Sequence, residues 1–228
     1  MNLDTGRRAA VHAALGEPIR LAIVDDLAVT DRSPKDLGRR LDLPTNLLAH
    51  HLDVLETAGL IARFTSAGDK RRRYVRLLRE PLIAMQIGVS VPRRPMMFLC
   101  SHNSARSQLA AAMWIARTGG PAQSAGTHPS AAVHRGAIAA ARRAGLDLSA
   151  AVPRLVDRID DDAQVVTVCD RAHEELDPSP TWWHWSIPDP VESGTAAAFD
   201  AVVADLDLRI RSIDSDSQAS TQLRASTR

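Results

Sequence analysis

The chain has 228 residues, 45% hydrophobic and 24% charged, with a formal net charge of +1, a balance that excludes wholesale disorder. Its two cysteines, Cys100 and Cys169, exclude a disulfide-rich secreted scaffold and a multi-cysteine zinc site. It has no long apolar run for a membrane span, and the N-terminus MNLDTGRRAAVH lacks a signal-peptide core, so a cytoplasmic chain with reduced thiols and no membrane association is expected.

The first 80 residues read as helices followed by a hairpin. Ala9–Leu15 and Pro18–Leu27 are apolar at helical spacing, and Pro18 suits a first helical turn. Ser33 caps a short amphipathic helix over Pro34–Leu41. Asp42–Thr45 is a turn, and Thr45 caps a helix over Asn46–Ala58 that Gly59 closes. Leu60–Phe64 and Arg72–Leu78 read as strands about a turn at Ser66–Asp69. Two short helices, a tight turn and a basic hairpin together predict a mainly α winged helix-turn-helix. Its second helix would enter a major groove, and Lys70–Arg73 on the wing would meet phosphates. Taken alone, that basic tetrad also fits a solvated turn.

ALGEPIRLAIVDDL, LGRRLDLPTNLLAHHLDVLETAGLI and the Gly68–Tyr74 wing resemble the ArsR/SmtB winged-helix repressors, over about residues 8–79. The resemblance implies Asn46, Leu47, Ala49 and His50 near DNA bases and Arg71, Arg72 and Arg73 near phosphates. It also implies a homodimer on a palindromic site. His51 has two readings, packing or capping within the helix, or DNA contact. Arsenite-sensing members carry cysteines before the turn helix, whereas Ile23–Leu27 here has none, so a thiol-based arsenite sensor is not expected. Asp25, Asp26, His12, His50 and His51 could ligate a harder metal, but such residues are commonly structural, and no metal site is assigned.

The small net charge hides a split, +5 before Met96 and −4 from Met96 onward. The same place follows a stretch punctuated by Pro81, Pro92 and Pro95. Domains are therefore expected at 1–80 and 96–211, with a linker at 81–95 and a polar, disordered tail at 212–228.

Pro95–Leu99 reads as a buried strand that delivers Cys100. Ser101, His102, Asn103, Ser104, Ala105, Arg106 and Ser107 follow, giving Cys-x5-Arg-Ser between a strand and an Ala-rich helix. The backbone N–H groups of that loop can curl into a nest for a tetrahedral oxyanion, with Arg106 offering two parallel donors. The helix N-terminus favours a thiolate nucleophile at Cys100. Asn103 suits a left-handed backbone position, Ser107 can donate to the thiolate, and His102 is expected to point outward. Strands over Gln123–Thr127 and Gln164–Asp170, a helix over Val133–Ala144 closed by Gly145, and a last helix over Thr195–Ile210 predict an α/β domain with a parallel sheet. The nucleophile then lies at the C-terminal end of the first strand, where open α/β sheets place ligands. His128, His134 and His184 show no metal-ligand spacing.

FLCSHNSARSQLA, SAGTHPS, VVTVCD and HWSIPDP occur in this order over about residues 95–211. They resemble the low-molecular-weight tyrosine phosphatase superfamily and, within it, the arsenate reductases. Gln108 and Trp185–Pro190 are similar to the reductases rather than the phosphatases. The resemblance implies an α/β parallel sheet of the low-molecular-weight phosphatase type, with Cys100 as nucleophile on arsenate, Arg106 as oxyanion binder and Asp189 as general acid. A second thiol must then attack the sulfur so that arsenic leaves as arsenite, whereas a phosphatase needs only water. Cys169 matches the first resolving cysteine of thioredoxin-coupled relatives. The region of their next cysteine is Glu175-Leu176 here, and Ala105 stands where a loop cysteine is frequent. A three-thiol relay within the chain is thus excluded. Either Cys100 and Cys169 pair directly or a small thiol with a redoxin partner resolves the adduct, and the second route is preferred. No bound cofactor is expected, only an external reductant: mycothiol, glutathione or a thioredoxin system. Trp182, Trp183 and Trp185 either wall the site or pack within a loop. The expectation is an arsenate reductase fused to an ArsR-type regulator. The alternatives are a low-molecular-weight protein phosphatase or a non-catalytic oxyanion-sensing regulator.

Overall fold

The computed structural model describes residues 4–85 and 94–225, with side chains as far as 213. The chain divides into two compact units, one of Met1–Thr65, Arg71–Val91 and Arg211–Arg228, the other of Ser66–Lys70 and Pro92–Ile210.

The first unit is helical with one hairpin: α1 (Thr5–Leu15), α2 (Pro18–Val29), α3 (Pro34–Leu41), α4 (Thr45–Thr57), β1 (Ile61–Thr65), β2 (Arg73–Leu77) and α5 (Arg79–Ala84). Local chemistry explains the boundaries. Glu17 caps α2 by accepting the Ile19 and Arg20 N–H groups, and Ser33 Oγ accepts the Asp36 N–H at 3.1 Å to start α3. Asp42, with φ 51°, ends α3 in the left-handed region. The expected Thr45 cap is instead the first residue of α4, behind Pro44, and no side chain caps this helix. Ile61 pairs with Leu77 and Thr65 with Arg73 in the antiparallel hairpin. Arg32 adds a short bridge to Val75, its N–H donating at 3.1 Å and its carbonyl accepting at 2.7 Å. Val11, Ile23, Leu27, Leu37, Leu52, Leu55, Leu60 and Val75 form the core. Each leucine so buried is worth about 2 kcal/mol. His51 joins this interior, its Nδ1 3.5 Å from the Glu17 carboxylate, so packing is the reading that holds.

The second unit contains β3 (Met96–Cys100), α6 (Arg106–Thr118), β4 (Ala122–Gly126), α7 (Arg135–Arg143), β5 (Gln164–Thr167), α8 (Asp170–Glu175), β6 (Trp183–His184), α9 (Pro190–Ser193) and the first part of α10 (Ala196–Ala225), whose residues from Arg211 on are counted with the first unit. Its four strands are parallel in the order β4-β3-β5-β6. All five residues of β3 are buried, as a continuous apolar run in the middle of a parallel sheet requires. The chain leaves β3 for β4 on one side and returns to β5 on the other. The crevice at the C-terminal end of β3 is therefore the topological switch point, and Cys100 stands there.

Three expectations change. Pro81 and Leu82, placed in a linker, are buried residues of α5, where proline is tolerated in the first turn; linker residues 86–93 lie outside the described residues. The tail expected to be disordered from 212 continues the α10 backbone to Ala225, since no glycine or proline follows Gly194 to stop it. Finally, α8, β6 and α9 had no counterpart in the sequence reading, because elements of six, two and four residues are too short to show a period. Among the described residues, no helix is long and apolar enough to cross a membrane.

Candidate active site

Cys100 ends β3 and is 2% exposed. Its Sγ lies 3.0 Å from Ser107 Oγ and accepts the Asn103 N–H at 3.2 Å. Asn103 has φ 47°, the left-handed conformation that asparagine tolerates. Its side chain then braces the loop. Nδ2 donates to Ser107 Oγ at 2.8 Å and to Ser124 Oγ at 2.9 Å, while Oδ1 accepts Gln108 Nε2 at 3.1 Å and the Arg154 N–H at 2.8 Å.

A second segment pins the loop from outside. The N–H groups of Thr127, His128, Ser130 and His134 donate to the carbonyls of Cys100, Ser101, His102 and Ser104. With its carbonyls held outward, the loop can present N–H groups inward. Gly126 permits this approach, because a Cβ there would meet Ser101 O at 2.6 Å and Asn103 N at 2.9 Å. Ala105 precedes α6 and supplies no side-chain cap, so the first-turn N–H groups stay available to an anion.

Arg106 is buried at the start of α6. Its Nη1 donates to Ile187 O at 3.0 Å and its Nη2 to Asp189 Oδ2 at 2.6 Å. A buried guanidinium must satisfy its donors, and these two acceptors come from the segment HWSIPDP. Asp189 also caps α9 by accepting the Val191 N–H at 3.0 Å. Cation and carboxylate thus meet at the rim of a cavity of about 460 Å³ lined by residues including Cys100, His102, Ser104, Ala105, Arg106 and Asp189. Ser130, Ala132, His134, Val191 and Glu192 complete its wall. None of the tryptophans lines it. Trp185 is fully buried against Phe98, with the Arg209 guanidinium 5.8 Å from its ring, so for this residue the packing alternative holds.

Cys169 is a second buried free thiol. It caps α8, accepting the Ala172 N–H at 3.4 Å, and lies 3.5 Å from Ser101 Oγ, inside the loop that Cys100 opens. Burial pushes this thiol up from its ordinary value; the Arg106 charge opposes the rise and the neighbouring Cys100 adds to it. Asp170 follows, paired at 3.1 Å with the buried His184, whose Nδ1 shares Thr167 Oγ1 with His173. Burial alone would raise the Asp170 carboxyl. The His184 and Ser186 hydrogen bonds and the His184 charge outweigh it and hold the group down at about 2.

The structure therefore brings Cys100, the loop Ser101–Ser107, Arg106, Asp189 and Cys169 together. His102 is exposed at the cavity mouth. Asn46, Leu47, Ala49 and His50 lie exposed on α4, and Arg71, Arg72 and Arg73 are exposed at the entrance to β2, all in the first unit. Asp26 is engaged by Arg32 at 2.9 Å and Arg40 at 3.1 Å. Sequence reasoning missed Ser130, Ala132, Val191 and Glu192, and weighed His134 only as a metal ligand. Residues 127–134 form an irregular loop with no period to read; SAGTHPS was the one signal there.

No curated protein matches the chain significantly. Solved structures similar to it include an arsenate reductase from Archaeoglobus fulgidus DSM 4304, 26% identical, covering 51% of this chain and 95% of that one at a TM-score of 0.43. The Erwinia amylovora tyrosine phosphatase AmsI is 20% identical, covering 54% and 91% at a TM-score of 0.46. The arginine phosphatase YwlE from Geobacillus stearothermophilus is 19% identical, covering 57% and 96% at a TM-score of 0.47. The family model described as low molecular weight phosphotyrosine protein phosphatase matches residues 95–223, more than half of the chain. With the loop, the parallel sheet and that match in agreement, the protein belongs to the low molecular weight phosphotyrosine protein phosphatase family.

Proposed function

We propose that the second unit is a thiol-dependent arsenate reductase and that the first is a winged-helix DNA-binding regulator of the ArsR type. The observation that carries the reductase reading is the second thiol, with Cys169 Sγ one hydroxyl away from the loop that holds Cys100. Two thiols beside one anion loop give the chain an internal, slower route to the disulfide that arsenate reduction requires and a hydrolytic cycle does not. A small oxyanion fits the cavity that Cys100, Arg106 and Asp189 line.

In the proposed cycle the Cys100 thiolate attacks arsenic(V), held by the loop N–H groups and Arg106. Asp189 serves as the general acid to the departing oxygen, which leaves as water. A thiol then attacks the Cys100 sulfur. The sulfur–arsenic bond breaks with its electron pair going to arsenic, releasing arsenite and leaving a disulfide on Cys100. Two thiols are oxidised and one arsenic is reduced by two electrons. The attacking thiol is external: mycothiol, or glutathione with a redoxin. Burial keeps Cys169 protonated and hence a poor nucleophile in the folded site, which makes it the slower route.

For the first unit the support is the three-residue turn between α3 and α4, opened by the left-handed Asp42, and the hairpin braced by the Arg32–Val75 bridge. Asn46, Leu47, Ala49 and His50 would face bases and Arg71–Arg73 phosphates, in a homodimer on a palindromic site. The phosphatase reading draws on the same Cys100, Arg106 and Asp189, which suffice for a phosphate monoester, with water as the second nucleophile. Arsenate-dependent oxidation of mycothiol or glutathione, set beside aryl phosphate hydrolysis, separates the two.

A further inference from the structure

We infer that His134 is an oxyanion-binding residue of this cavity, a ring N–H donor that helps to hold a tetrahedral oxyanion above Cys100. The inference rests on the oxyanion reading of the site and extends it to a residue outside the Cys-x5-Arg loop.

Three contacts build His134 into the wall. Its backbone N–H donates to Ser104 O at 2.8 Å, fixing it to the loop. Its ring stacks on Phe199, with centroids 5.1 Å apart and planes 10° from parallel. Gly136 makes room for that stack, since a Cβ there would lie 2.4 Å from the Phe199 ring. Its Nδ1 accepts the Gly136 N–H at 3.1 Å, capping the nine-residue α7.

The cap decides the chemistry. A nitrogen that accepts a hydrogen bond carries no proton, so in the neutral ring the proton sits on Nε2. The cap thereby converts His134 into a donor of fixed tautomer on the wall of the cavity that holds Cys100 and Arg106. Arg106 supplies charge, and the loop supplies N–H groups at its base. From the segment that pins the loop, His134 would add a ring N–H on the cavity wall for an outer oxygen of a tetrahedral oxyanion. Asn is an equally good cap acceptor but is shorter and lacks the ring donor.

The test is calorimetric titration of the full chain with inorganic phosphate and, separately, arsenate. H134N keeps the cap but loses the Phe199 stack, so it should stay folded with a slightly lower melting temperature, yet bind both anions about tenfold more weakly. H134A loses the cap as well and should lose thermal stability in addition. Imidazole ¹⁵N spectra of the wild type should show Nδ1 unprotonated and Nε2 protonated, with the Nε2 signal moving on phosphate addition. Unchanged anion affinity in a folded H134N, or a proton on Nδ1, overturns the inference. Weakened binding in H134N upholds it even if the wild type reduces no arsenate, an outcome that would sink the reductase reading alone.

Discussion

Asn103→Ala removes four hydrogen bonds at one stroke: Nδ2 to Ser107 and Ser124 at 2.8 and 2.9 Å, and Oδ1 from Gln108 and Arg154 at 3.1 and 2.8 Å. The two hydroxyls can turn, and Gln108 keeps Val152 O and the residue 103 carbonyl. The Arg154 N–H loses its acceptor at a part-buried position. Four bonds at roughly 1 kcal/mol net each sum to about 4 kcal/mol, which the partners that re-pair discount to about 3 kcal/mol. The left-handed φ of 47° is tolerated by asparagine but costs alanine about 1 kcal/mol more, for a total near 4 kcal/mol. Urea denaturation followed by tryptophan fluorescence reads this directly, because all four tryptophans, Trp114, Trp182, Trp183 and Trp185, belong to the second unit. Turnover should fall in parallel, since the same side chain holds Ser107 against Cys100. A loss below about 1 kcal/mol would refute the bracing role assigned to Asn103.

Gly126→Ala forces a Cβ to within 2.6 Å of Ser101 O, so it should cost about 2 kcal/mol or more and abolish turnover; a fully active G126A would show that the loop does not need this approach. The Asp170 carboxyl is held at about 2 in the folded protein, below its unfolded value. Its stabilisation is therefore complete above about pH 4 and lost as pH falls toward 2, and D170N should flatten the acid limb of the stability curve over that window, by at most about 2 kcal/mol. For DNA, R71A/R72A/R73A should lower the slope of log affinity against log salt by about 0.9 for each phosphate that the wing no longer neutralises; an unchanged slope in fluorescence anisotropy places the wing off the backbone.

Much of the site was legible because its chemistry is written locally. Cys100 through Ser107 needed only a strand before and a helix after to become an anion loop, and the structure places both there. Asn103 could be assigned a left-handed position because few residue types accept one. The starts of α2 and α3 follow from Pro18, Ser33 and Pro34 in the same local way. What was not legible depends on distance in sequence. Ser124 and Arg154 meet Asn103 across 21 and 51 residues, and Arg106 meets Asp189 across 83. Only the resemblance tied Asp189 to the loop. His51 sits on the helix proposed to read DNA, and its sequence position alone left packing and contact level. The Glu17 carboxylate 3.5 Å away and the surrounding core show which one the fold uses.

The most direct test is a steady-state assay of the full chain with arsenate and mycothiol or glutathione, each with its redoxin, measuring arsenite released. The wild type should form arsenite in proportion to thiol oxidised. C100S should form none, and C169S should retain turnover if the external thiol resolves the adduct. Arsenite formation by C100S, or a wild type that hydrolyses aryl phosphate but leaves arsenate unreduced with every thiol, would contradict the assignment.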